Sequence, residues 1–179
     1  MAEAEVSLRL AIHLIATGRT QSDVIVALDG AQIKTGVIQH FSVVEFLRPL
    51  GWTKLKSEED PHWRGSYSCA STPFHIVIHS RSGEGDVTAT LTSGELLIVE
   101  AKKGTLSRSK SSGEYPLLRE ALGQLMTLKT VPKRAVLAVA VPHGDGFVRL
   151  AKRWREAPLV RQAGIRLLTV APTGEVDGW

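Results

Sequence analysis

Two acidic residues and a lysine lie at the ends of neighbouring predicted strands. Glu100 and Lys102 end the apolar run 95–102, and because strand side chains alternate between faces, both point to the same side. Asp86 comes fourteen positions before Glu100, and the turn-like residues 92–94 predict an antiparallel pairing that brings the two carboxylates together. Two carboxylates beside an ammonium can hold a hard divalent cation next to a phosphate.

A purely structural role for these residues is the alternative. Glu100 and Lys102 could form an exposed ion pair at a strand end, with Asp86 only beginning a turn, because such spacings also arise by chance. Unpaired charge buried at a strand costs several kcal/mol, however, so it persists where it is paired or binds a metal. The apolar residues that run into Glu100 therefore favour a site.

The apolar patterns predict a chain of alternating strands and helices. Helices are expected at 3–17, 37–47, 116–130 and 147–162, the last interrupted near Pro158, and strands at 74–79, 86–91, 95–102, 135–141 and 165–170, with 23–28 as either. Short polar turns join the first three strands into an antiparallel meander. The fold class expected is α/β, with three α/β/α layers around a central mixed β-sheet. One domain spans 1–179, with 1–35 as an N-terminal helical extension of open role.

Asp86, the Glu100-x-Lys102 pair and this order of elements resemble the PD-(D/E)xK nuclease superfamily, whose fold is restriction-endonuclease-like. That family carries the aspartate on its second strand, the Glu-x-Lys on its third and often a glutamine on the following helix, which Gln124 matches here. The resemblance implies that Asp86, Glu100, Lys102 and Gln124 are the catalytic residues. Mg²⁺ or Mn²⁺ would be held by Asp86, Glu100 and the Ala101 carbonyl.

The chain departs from the family pattern at three places, one of which is Leu128, where the RecB-like branch commonly has a tyrosine four residues after the glutamine. Gly85 stands where the family name has proline. A glutamate on the first helix often completes the family's metal site, but counting back from Gly51-Trp52 lands on His40, with Glu45 nearby. His40, Glu45 or neither completes the site.

Charge supports a nucleic-acid partner. The formal net charge is +4, and Lys103, Arg108 and Lys110 lie in or next to a serine-rich loop where they are predicted to contact phosphates of DNA, with RNA also open. Simply solvated lysines and arginines are the alternative.

Cysteine content and the N-terminus indicate the compartment. Cys69 is the single cysteine, which excludes an internal disulfide and a Cys-rich zinc site. The chain begins without the basic start and apolar run of a signal peptide, and no apolar segment is long enough to span a bilayer. A cytoplasmic protein without a membrane partner is expected.

The leading hypothesis is a Mg²⁺- or Mn²⁺-dependent endo- or exonuclease that hydrolyses phosphodiester bonds, in DNA above all. One alternative is a nucleic-acid-binding subunit on the same fold, weak or inactive in catalysis, in a repair, defence or mobile-element complex. Another is a basic interaction protein in which the three residues are incidental. The resemblance also leaves open a homodimer or a place in a larger complex.

Overall fold

The structure is a computed structural model that describes residues 1–55, 63–81, 83, 85–107 and 113–179. Its strands in chain order are β1 Val24–Ala27, β2 Lys34–Thr35, β3 Ile38–Gln39, β4 Thr53–Lys54, β5 Gly65–Ser68, β6 Ile76–His79, β7 Val87–Thr90, β8 Leu96–Ala101, β9 Ala135–Pro142, β10 Arg166–Val170 and β11 Val176–Asp177. The helices are α1 Glu3–Ala16, α2 Gly30–Ile33, α3 Val43–Leu47, α4 Glu114–Met126, α5 Asp145–Arg155 and α6 Pro158–Ala163, and a 3-10 turn covers Arg48–Leu50.

A mixed sheet organises the described part of the chain. Nine strands lie in the order β11-β10-β9-β8-β7-β1-β6-β5-β4, while β2 and β3 form a separate hairpin. β8, β9 and β10 are parallel to one another, and β7 is antiparallel to both β8 and β1. The prediction of an α/β protein with a mixed central sheet is thus confirmed at this level.

Helices cover the two faces of the sheet unequally. α1 packs against β1 and β7 to β10 on one face, where alternate residues of β8, Leu97, Val99 and Ala101, join its apolar cluster. α4 and α5 cover β8, β9 and β10 on the other face, where Ile98 joins their cluster. Ile25 of β1 points to this second face and is 41% exposed. The second face is therefore open beside α4.

The expected antiparallel meander is wrong in its first step. β7 and β8 do form a hairpin, but β6 does not pair with β7, because β1 lies between them, parallel to β6 and antiparallel to β7. Val24 and Val26 of β1 are fully buried. Residues 1–35 are consequently not an extension: they supply the helix across one face and a central strand.

One predicted helix is corrected and another is confirmed. Residues 37–42 are not helical; α3 begins only at Val43, after the β2–β3 hairpin, where the Ser42 side chain accepts a hydrogen bond from the Glu45 N–H and caps it. The interruption predicted near Pro158 in the helix at 147–162 is confirmed: α5 ends at Arg155 and Pro158 opens α6. Proline has no N–H to donate and suits a first helical turn.

Candidate functional site

The β7–β8 hairpin places Asp86 beside Glu100. Val87 pairs with Val99 at the start of β7, and Asp86, which comes just before it, lies beside the end of β8 that carries Glu100 and Ala101. The backbone of Asp86 is held on both sides, since its N–H donates to the Val99 carbonyl at 2.8 Å and its carbonyl accepts from the Ala27 N–H at 2.9 Å. These two hydrogen bonds fix the backbone position from which the Asp86 side chain extends.

The carboxyl groups of Asp86, which is partly buried, and Glu100, which is buried, interact directly. Asp86 Oδ2 accepts a hydrogen bond of 2.7 Å from the Ala101 N–H. Burial raises the pKa of Asp86 to about 6, although that hydrogen bond opposes the shift. Burial, followed by the charge of Asp86, raises the pKa of Glu100 to about 7, and a hydrogen bond between the two side chains adds to the rise. Near neutral pH the pair therefore readily shares a proton.

Gly85 allows the chain before β7 to pack closely against β8, because it has no Cβ. Its φ is +91°, and a Cβ there would lie 2.9 Å from Ile98 Cγ2 and 3.0 Å from the Val99 carbonyl oxygen. Proline, which fixes φ near −65°, does not fit this conformation. The departure from the family pattern at Gly85 thus follows from the local backbone.

Lys102 continues β8 on the same face as Glu100. Its N–H donates to the Ala140 carbonyl at 2.9 Å, and the residue is only 4% exposed. Lys102 Nζ lies 3.1 Å from Glu120 Oε1, on α4. Burial alone lowers the pKa of Lys102, but the negative charge of Glu3 and the contact with Glu120 raise it more, so the net shift is upward. Lys102 is held as an ammonium.

The start of α1 brings a third carboxylate to the cluster. Glu3 Oε1 accepts a hydrogen bond of 2.8 Å from Gln32 Nε2, and Glu3 Oε2 lies 3.4 Å from the Lys103 backbone N, which donates to it. Its negative charge acts on both members of the acidic pair, raising the pKa of Asp86 and of Glu100. The helix that contributes an acid here is therefore α1.

Glu45 and His40 lie in different places. Glu45 lies within α3, which packs against β4 at the far edge of the sheet, whereas His40 follows β3 and its N–H donates to the Ile33 carbonyl at 2.9 Å, next to Gln32. Five positions of the strand order separate β4 from β8. The structure thus brings Glu3 of α1 to the acidic pair, and not a residue of α3.

A cleft of about 1050 Å³ opens beside the acidic pair on the uncovered face. Asp86 and Glu100 line one part of it, and Gln124 of α4 lines it with them. Arg81 and Lys129 are the basic residues of the lining. The lining also includes aliphatic and hydroxyl side chains of the sheet and of the segment after α4, namely Ile25, Thr88, Leu96, Ile98, Thr127, Leu128 and Thr130. The cleft is large enough for a small ligand or a few units of a chain.

The donor atoms suit a hard cation. Mg²⁺ takes oxygen ligands, keeps several waters and usually needs one or two protein carboxylates, and Asp86 and Glu100 provide two. In a strand the N–H and carbonyl of one residue point to the same neighbour, so the Ala101 carbonyl lies on the Asp86 side. Within the described ranges there is no cluster of three or more His, Cys, Asp or Glu side chains arranged as a metal site. The fit is that of a two-carboxylate site.

The predicted phosphate contacts are placed only in part. Lys103 is exposed, directly after the buried Lys102. Arg108 and Lys110 lie outside the described residues. Their role in binding DNA stays a prediction.

Two acids at the site escaped the sequence reasoning. Glu120 comes four residues before Gln124 on α4, and because positions four apart share a helix face, its presence beside the cleft could have been expected. Glu3 gives no such signal, since its approach to Asp86 depends on how α1 crosses the whole sheet.

Comparison with known proteins adds no relative. No family model, curated protein or solved structure matches the chain. Among the described residues, no helix has the length and apolar character required to cross a membrane. The assignment of a function therefore rests on the residues and their geometry.

Proposed function

We propose that this protein is a metal-dependent nuclease of the PD-(D/E)xK type that hydrolyses phosphodiester bonds of DNA. The observation that carries the proposal is the hydrogen-bonded pair of the partly buried Asp86 and the buried Glu100, at the adjoining ends of β7 and β8, with the buried Lys102 after them on the chain. The order Asp, Glu-x-Lys and a following helix with Gln124 is the arrangement of that family, and a restriction-endonuclease-like fold is part of the proposal.

The charge balance of the cluster favours a bound cation. The carboxyl groups of Glu3, Asp86, Glu100 and Glu120 surround a single described ammonium, Lys102. Burial raises the pKa of both paired acids, which means that their charged forms are disfavoured without further positive charge. A divalent ion between Asp86 and Glu100 would relieve that cost.

Each residue has a role in this proposal. Mg²⁺ or Mn²⁺, when bound, supplies a water of lowered pKa and polarises the phosphate. Asp86 and Glu100 hold the ion, with the Ala101 carbonyl beside them. Lys102 offsets negative charge that develops on the phosphate oxygens, and Glu120 orients its ammonium at 3.1 Å. Gln124 lies in the cleft where a substrate would contact it.

Cleavage of end-labelled DNA tests the proposal. With Mg²⁺ or Mn²⁺ present, single-stranded or duplex DNA should be cut, EDTA should stop the reaction, and Glu100→Gln or Lys102→Met should lower the rate on the order of 10²-fold or more. Glu95→Gln, at the opposite end of β8, and Lys152→Met on α5 are matched controls that should retain full activity. Thermal melting followed by circular dichroism checks that every variant folds.

The ion pair between Lys102 and Glu120 favours a second candidate, a binding subunit in which the ammonium is structural. Salt-sensitive DNA binding by a folded wild-type protein, with no cleavage of any substrate tried, would support that candidate. Cleavage that resists EDTA, or full activity of Glu100→Gln, would contradict the nuclease.

A further inference from the structure

The β2–β3 hairpin exposes an apolar tip. Thr35 pairs with Ile38, leaving Gly36 and Val37 as a two-residue loop, and the φ of +59° at Gly36 suits the first central position of a type II′ turn. Val37 is 95% exposed and Ile38 is 61% exposed. Aliphatic side chains are not needed for such a turn, so their presence at the tip calls for a binding role.

The foot of the β2–β3 hairpin lies beside Glu3. Gln32, at the end of α2 just before the hairpin, donates its hydrogen bond to Glu3, whose charge acts on Asp86 and Glu100. Four residues of chain reach at most about 14 Å, so Val37 lies within that distance of Ile33. The hairpin is therefore anchored next to Glu3 of the acidic cluster.

Strand directions place the hairpin and the acids at one edge of the sheet. β7 is antiparallel to both β1 and β8, so the ends of β1 and β8 and the start of β7 share an edge. β1 leads into α2 and the hairpin, β8 ends at Ala101, and Asp86 immediately precedes β7. A nucleic acid whose phosphate lies next to a metal ion held by Asp86 and Glu100 would pass along this edge.

We infer that the tip of the β2–β3 hairpin, Val37 and Ile38, inserts into the base stack of duplex nucleic acid beside the scissile phosphate, an inference that rests on the proposed nuclease function. A duplex groove admits a two-stranded ribbon, and aliphatic side chains act as wedges that unstack a base step. Lys34 is the only charged residue from Gly30 to Val44, so the hairpin approaches phosphates without repulsion.

A second copy of the chain fits the tip less well. Each partner of a standard protein interface buries about 800 Å², and two aliphatic side chains at the end of a narrow ribbon are a small fraction of that. Exposed Lys103, whose N–H donates to Glu3 at the foot of the hairpin, and Lys34 in the hairpin itself supply the positive charge that a polyanionic substrate requires. The occupant we assign is therefore the substrate.

Binding without cleavage tests the inference. A duplex that carries 2-aminopurine at successive positions is titrated with the full chain in EDTA, and fluorescence reports any unstacked base. Val37→Ser with Ile38→Ser should weaken duplex binding about tenfold and remove the fluorescence rise. Val37→Leu with Ile38→Leu should retain both, and Leu159→Ser, which alters an apolar residue 78% exposed on α6, should behave as wild type.

The outcomes separate the inference from the nuclease function. Unchanged binding and fluorescence in a folded serine variant would overturn the inference even if the wild type cuts DNA. A sedimentation change from dimer to monomer in that variant would overturn it too, since the tip would then join two copies. Hairpin-dependent unstacking by a wild type that never cuts would support the inference and refute the nuclease.

Discussion

Burial, rather than pairing, dominates the chemistry of single residues at this site. Glu100 is 9% exposed and Lys102 is 4% exposed, yet the ammonium lies nearest to Glu120, which is largely exposed on α4. The Ala101 N–H on Asp86 and the charge of Lys102 favour the ionised acids, but burial outweighs both, and the pKa of each acid is raised. Groups in such an environment respond to pH and to cations more strongly than surface acids do.

The free energy of unfolding of the metal-free protein should fall as pH rises. The pKa of Asp86 is raised to about 6 and that of Glu100 to about 7 in the folded state, so the folded chain binds more protons than the unfolded chain between about pH 4 and 7. Stability from this source is complete below the unfolded pKa values and is lost as pH passes the folded ones. Urea unfolding in EDTA should show a loss of roughly 1 to 3 kcal/mol across that range.

The Glu100→Gln variant provides the control for this pH dependence. Because it removes one of the two coupled acids, its unfolding free energy should vary much less between pH 4 and 7, and at pH 7.5 it should exceed that of the wild type. Glu95→Gln should keep the full pH slope. An equal slope in wild type and Glu100→Gln would show that other groups cause the effect.

At the level of secondary-structure elements, the acidic pair is positioned by the close approach of Gly85, just before β7, to β8. Gly85→Ala should destabilise the protein, because the residue must adopt a φ of +91° and its Cβ would meet Ile98 and Val99. Gly94→Ala separates the two causes: Gly94 has a φ of +78° with nothing within 4 Å of its Cβ. In urea unfolding Gly94→Ala should lose roughly 1–2 kcal/mol, and Gly85→Ala should lose more.

Manganese binding provides a second measurement on the same glycine variants. By moving Asp86, Gly85→Ala should weaken Mn²⁺ binding in calorimetry, whereas Gly94→Ala should leave the affinity unchanged. Equal Mn²⁺ affinity in both variants would mean that the close approach of Gly85 to β8 does not position Asp86.

Local patterns predict those elements that depend on residues near one another in sequence. The β7–β8 hairpin follows from two apolar runs around a polar turn, and β9 from the valine-rich run 135–141. The position of β1 between β6 and β7 could not be predicted this way, because its four residues pair with strands about fifty and sixty positions later. The long helix expected at 37–47 failed for a related reason: Gly36 and Val37 form a turn whose hairpin interrupts the apolar pattern.

The residues of the candidate site also differ in whether local sequence patterns predict their positions. Asp86 beside Glu100 is a consequence of an antiparallel hairpin, so sequence spacing sufficed to bring them together. Glu120 required only the periodicity of α4. Glu3 required the path of α1 over the sheet, which no short pattern encodes.

At the scale of the whole molecule, the N-terminal helix and the central sheet converge on one charged edge. α1 covers the sheet from β1 to β10, and Met1, just before its first turn, donates a hydrogen bond of 2.7 Å from its amino group to the Gly104 carbonyl. This contact links the beginning of the chain to the segment after β8. Changes in charge at the edge should thus alter the stability of the entire fold.

Mn²⁺ should therefore stabilise the folded protein as a whole and reverse the order of two variants. A ligand at a hundred times its Kd adds about 2.7 kcal/mol to the free energy of unfolding, so wild type should gain about that amount in urea unfolding at pH 7.5. Asp86→Asn should be more stable than wild type in EDTA, because it removes a buried charge, but should gain little from Mn²⁺. Glu3→Gln should lose part of the gain, and the exposed Glu156→Gln none of it. Equal gains in wild type and Asp86→Asn would place the ion elsewhere, since only a metal between Asp86 and Glu100 converts the cost of their burial into a metal-dependent stability.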